Sequence, residues 1–134
     1  MDEPVMTNEE LNAWRMIGAD MGLEFDELGH PYKTGTAVDQ ATLEFYQGAY
    51  DWRPLEDDSD CLGLVAHYGL AVLCDAECVR VTDTKTSASA MQFWGAGRDR
   101  TEDIRRAVFY TAALTVRLAL KKLDSVNTCT LNKL

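Results

Sequence analysis

Histidine is scarce, zinc-site spacing is missing, and no apolar run is long enough to cross a bilayer. The two histidines, His30 and His67, stand alone. The four cysteines, Cys61, Cys74, Cys78 and Cys129, include one close pair, Cys74 and Cys78, with no second Cys or His pair at ligand spacing. No metal and no cofactor is therefore expected, and the cysteines are expected as free thiols. Cys61 and Cys74 lie among apolar neighbours, where a thiol behaves as a small hydrophobe. The longest apolar stretch, Ala107 to Leu120 with Arg117 inside it, falls short of the roughly 20 residues a membrane helix needs and suits a buried helix. The start, Met1 to Pro4, is acidic and lacks the basic-then-apolar pattern of an export signal, so the expected location is the cytoplasm.

Positive charge is also in short supply. There are 22 acids and 13 bases, for a net charge of −9. The imbalance is uneven: residues 1–60 hold 15 acids against 3 bases, and residues 61–134 hold 7 against 10. Such a chain does not bind nucleic acid by neutralising phosphates. Its acidity suits solubility, a basic protein partner, or mimicry of nucleic-acid charge.

Catalytic patterns are missing as well. Ser59, Ser87, Ser89 and Ser125 occupy no Gly-x-Ser-x-Gly elbow. Cys61 and His67 are six apart on one expected helix, which puts them on different faces. Gly95 and Gly97 ahead of a helix are too little for a phosphate loop and read as a strand-to-helix turn. Asp57, Asp58 and Asp60 fall within one turn, as a helix cap requires, whereas a hydrolytic site draws acids from several elements. No enzyme is expected.

What is present reads as one α+β domain over residues 1–134, a length sufficient for its own core. Thr7 and Glu10 form a capping box that opens a helix over 8–21, with Gly22 to end it. Residues 22–40, punctuated by Gly22, Gly29, Pro31 and Gly35, read as loop, and 41–46 as either a short strand or a helical turn. The acidic cluster at 56–60 precedes a second helix, about 58–72, with Leu62, Val65, Tyr68, Gly69 and Val72 on its inner face. Residues 77–94 alternate as a β-hairpin, with Val79 and Val81 on one face and with Ser89, Met91 and Phe93 opposite Ala88, Ala90, Gln92 and Trp94. A third helix, about 101–123, begins at a cap near Thr101 and is expected to be the spine of the core, Leu114 included; a polar tail from Asn127 follows it.

Two groups of side chains stand out as binding candidates. Tyr50, Trp52 and Arg53 crowd a non-helical segment next to Glu56, Asp57, Asp58 and Asp60, and Tyr, Trp and Arg are enriched at protein-binding hot spots. Trp52 either joins that surface or plugs the edge of the core. Trp94, Arg98, Arg100, Arg105 and Arg106 form the one concentrated basic patch, suited to an anionic ligand or to pairing with the acids at 56–60.

Trp52 to Asp57 opening the middle helix, Phe93 and Trp94 ending a strand, and Arg105 to Ala107 with Ala112 to Leu114 in the last helix together carry a likeness. On these residues the chain resembles the phage ABA-sandwich family, small proteins encoded by tailed bacteriophages. The likeness spans about residues 50–120, with Leu55 and Glu56 where Ser and Thr are usual. It implies an α-β-α layered sandwich and a viral origin, and it implies no activity. The function expected is that of a non-catalytic, phage-encoded binding protein in the host cytoplasm. It would use an acidic surface to inhibit a host antiviral-defence component, such as a basic nucleic-acid-binding or RNA-guided complex in the manner of an anti-CRISPR protein. The alternative is a binder of nucleotide signals that uses the arginine cluster.

Overall fold

The structure, a computed structural model, describes residues 6–132, leaving aside the side chains of residues 36, 37, 46 and 124–132. Three helices and two small antiparallel sheets make an α+β fold among these residues. The chain divides into two compact units, Met1–Trp52 and Arg53–Leu134.

In the first unit, helix α1 spans Asn8–Asp20. The expected capping box is formed: Thr7 Oγ1 accepts from the Glu10 amide at 3.1 Å, and Glu10 Oε1 accepts from the Thr7 amide at 3.0 Å. Trp14 and Ile17 are buried on its inner face. Residues 22–40, expected as loop, hold two strands, and a third follows them. They are β1 (Glu24–Phe25), β2 (Pro31–Val38) and β3 (Phe45–Asp51), paired antiparallel in that order with Tyr32 opposite Asp51 and Gly35 opposite Gly48. The open choice at 41–46 resolves into a turn over 39–44 followed by the start of β3. In that turn the Asp39 carboxylate accepts from the Ala41 amide at 2.8 Å. Helix and sheet approach at Gly18, where an added Cβ would stand 2.7 Å from the Cβ of Pro31, so only glycine permits the contact. Trp14 Nε1 donates to the Trp52 carbonyl at 2.9 Å inside this unit.

The second unit begins with helix α2, Asp58–Tyr68, capped by Asp57, whose carboxylate accepts from the Asp60 amide at 2.9 Å. The helix stops four residues earlier than expected. Gly69 turns left-handed (φ 66°), and Leu70–Cys74 become strand β4. The predicted hairpin is present as β5 (Cys78–Asp83) and β6 (Ser89–Phe93), and β4 completes a sheet in the order β4-β5-β6. Val79 and Val81 are fully buried, while Met91 and Phe93 point outwards, as the alternation required.

Helix α3 runs over Arg100–Asn132, longer than the expected 101–123, because no Gly or Pro interrupts the chain after Gly97. The Asp99 carboxylate, not Thr101, takes up an amide of its first turn, accepting from the Thr101 amide at 3.0 Å. Bonds from the Thr101 amide and hydroxyl hold the Asp99 carboxyl below its usual range. Ala107, Val108, Phe109, Ala112, Ala113 and Val116 are buried, so the helix is the spine of its unit. Leu114 is not part of it: at 37 % exposure it lies on the solvent side, one position out of phase with the buried stripe. Thr111 and Thr115 fasten the helix to β5. The Thr111 hydroxyl donates to the Ala107 carbonyl at 2.8 Å with the Val81 carbonyl at 3.2 Å, and the Thr115 hydroxyl donates to Asp83 at 2.9 Å. No helix among the described residues is long and apolar enough to cross a membrane.

Candidate functional site

One arginine joins the two clusters singled out in the sequence. Arg105 Nη1 donates to Asp58 Oδ1 at 2.7 Å, and its Nε donates to the Leu55 carbonyl at 2.9 Å. The first turn of α2 and the second turn of α3 are thereby joined. Glu56 pairs with Arg53 at 3.4 Å. Asp57 is the α2 cap. Asp60 is buried, at 4 % exposure, and accepts from the Arg53 amide at 2.9 Å. Of the four acids, only Glu56, Asp57 and Asp58 present a carboxylate to solvent, and all four act within the fold.

The arginines are likewise engaged. Arg98 pairs with fully buried Asp103 at 3.2 Å, and the other Asp103 oxygen accepts from the Gly95 amide at 2.9 Å. Arg106 pairs with Glu102 at 3.6 Å. Arg100 sits over the Trp94 ring at 4.8 Å, while Trp94 Nε1 donates to the Asp75 carbonyl at 2.8 Å. A base stacked on Trp94 would have to displace Arg100 first.

Trp52 is 2 % exposed. Its ring belongs to the core, not to a contact surface, and of the aromatic candidates Tyr50 remains outside at 40 %. Tyr50 lines a groove of about 490 Å³ in the first unit, together with Phe25, Asp26, Glu27, Tyr32 and Asp51. The β1–β2 turn forms one wall: Asp26 accepts from the amides of Leu28 and His30, each at 2.9 Å, and Arg15 Nε donates to the Gly29 carbonyl at 3.1 Å. Three aromatic rings and three carboxylates thus surround one concavity. The sequence offered no sign of it, because Phe25 to Tyr32 lie in a Gly- and Pro-punctuated stretch without periodicity, and only strand pairing brings them beside Tyr50 and Asp51.

Charge follows the same division. Residues 1–52 carry 11 acids and 2 bases, the whole net charge of −9, whereas residues 53–134 carry 11 of each.

Cys61 and His67 share α2 but not a face. Cys61 is buried on α2 and His67 is exposed on it. Burial pushes the Cys61 thiol up to about 11, against the opposing pull of Arg105. Cys78 is raised too, by burial and by the neighbouring Asp75 carboxylate. The His30 ring packs against Trp14 with centroids 5.0 Å apart. Among the described residues no group of three His, Cys, Asp or Glu side chains is placed to hold a metal ion. Comparison with known protein families, with curated sequences and with solved structures found no match to the chain.

Proposed function

We propose that the protein is a non-catalytic binding protein whose first unit takes up a basic segment of a protein partner in the groove around Tyr50. The observation that carries this reading is the coincidence of charge and shape. The entire net charge of −9 resides on residues 1–52, and that unit presents Phe25, Tyr32 and Tyr50 with Asp26, Glu27 and Asp51 around one concavity. Carboxylates attract Lys or Arg over several ångströms, and aromatic faces hold a cation at contact range. The likeness to the phage ABA-sandwich family supports a viral product acting in the host cytoplasm. A basic nucleic-acid-binding component of host antiviral defence is then the partner whose charge fits. The arginine cluster supports the nucleotide-binding alternative less well, since its guanidinium groups are engaged by Asp58, Glu102, Asp103 and Trp94.

The test is capture of the tagged protein from host lysate, followed by kinetics with the isolated partner. Glu27→Gln should slow association and reduce its salt dependence, and Tyr50→Ala should speed dissociation. A partner whose binding is indifferent to salt and to both changes overturns this reading.

A further inference from the structure

Strand β4 ends its sheet. Sheet edges in stable monomers are protected by Lys, Pro, a bulge or an inward charge. Leu70, Ala71, Val72, Leu73 and Cys74 include none of these. Among the described residues no strand pairs with the side of β4 facing away from β5. Leu73 is 67 % exposed on the outer face of the sheet. The inner face is open as well: a groove of about 470 Å³ runs beside β4, lined by Leu70 and Val72 from the strand, Leu62 and Val65 from α2, and Ile104 and Val108 from α3. Helix α3 packs against β5 and β6.

We infer that β4 pairs antiparallel with β4 of a second copy of this chain, joining two three-stranded sheets into one of six strands. Pairing about a two-fold axis through Val72 sets Leu70 opposite Cys74 of the second copy and Ala71 opposite its Leu73. On the outer face each exposed leucine therefore covers an alanine, a large-on-small fit that the strand makes with itself. On the inner face Val72 meets Val72, and the two apolar grooves become neighbours. Charge permits this contact. β4 carries no charge, so the paired strands themselves bring no like charges together. A five-residue strand is only about 17 Å long, so the contact is at the small end of specific interfaces and the dimer is concentration-dependent.

Sedimentation of the full chain from low micromolar to submillimolar concentration tests this. The expected result is a shift from the 15.0 kDa monomer to twice that mass. Leu73→Lys should hold the chain at monomer mass with an unchanged melting temperature. Leu73→Ala should weaken the dimer at least tenfold, and Ala71→Leu combined with Leu73→Ala, which exchanges large and small, should restore it. As an independent readout, hydrogen exchange of β4 amides in the unaltered protein should slow as concentration rises. A chain that stays monomeric throughout, or a dimer that neither Leu73→Lys nor β4 amide exchange registers, overturns the inference. Dimerisation and the groove at Tyr50 lie in different units, so either can fail while the other stands.

Discussion

Arg105 and Asp58 meet at 2.7 Å, which makes partners of two residues that suggest opposite binding sites when read separately. The pair is lopsided: Arg105 is 16 % exposed and Asp58 76 %. Water screens the carboxylate, whereas the guanidinium also satisfies the Leu55 carbonyl.

That lopsidedness gives a graded outcome. Asp58→Asn should cost under about 1 kcal/mol, as exposed ion pairs do. Arg105→Ala should cost about 1–3 kcal/mol, because it also leaves the Leu55 carbonyl without its donor. Urea unfolding of both variants checks the ranking, and equal costs would show that the bond to Leu55 contributes nothing.

Asp103 should be among the most sensitive positions in the second unit. It is fully buried, holds the Gly95 amide with one oxygen and pairs with Arg98 through the other. Asp103→Ala strands both partners and should destabilise by about 3 kcal/mol. Asp103→Asn keeps an oxygen for Gly95 and should cost clearly less.

In the stripe of α3, phase decides tolerance. Phe109→Ala should cost about 3–5 kcal/mol, the usual range for emptying a buried aromatic site. Leu114→Asp, at an exposed position, should leave the protein soluble with a small change in melting temperature. Loss of soluble protein with Leu114→Asp would mean that this side of α3 is covered.

Asp83 sets a pH dependence. Burial alone would raise its carboxyl, but bonds from the Lys85 amide, the Thr115 hydroxyl and the Thr86 hydroxyl outweigh it, and the net shift is downward. A depressed carboxyl stabilises the fold fully above its unfolded value, 3.8, and loses that contribution as pH falls through the lower folded value. Asp83→Asn should therefore be less stable than the unaltered protein at neutral pH, and the gap should close in acid below pH 3.8. A gap that persists in strong acid would place the effect in packing instead.

Thiol reactivity should separate by burial. Cys74 is exposed, whereas Cys61 and Cys78 are buried and held as thiols by raised pKa values. In a Cys129→Ser background at neutral pH, iodoacetamide should label Cys74 first and the other two only under denaturant. Rapid labelling of Cys61 in the native protein would contradict its placement.

The amino-acid sequence by itself determined the parts whose signals are local. Thr7 and Glu10 start α1 because a capping box needs only four neighbouring residues. Asp57 starts α2 because a carboxylate three residues ahead of an amide can reach it. Val79, Val81, Met91 and Phe93 take their faces because side chains alternate along a strand. Tertiary structure decided the rest, because pairing partners far apart in the chain leave no periodic mark. Pro31 to Val38 carry a proline, a glycine and small or polar residues that look like loop, and become a strand only against Phe45 to Asp51. Leu70 to Val72 read as the end of a helix, but Gly69 turns left-handed before them and β5 supplies an edge to pair with. Trp52, legible as core plug or contact, is core, and Glu56 and Asp58, which looked free, pair with Arg53 and Arg105. Charge is read from composition, but where it converges into a groove depends on which distant strands lie side by side.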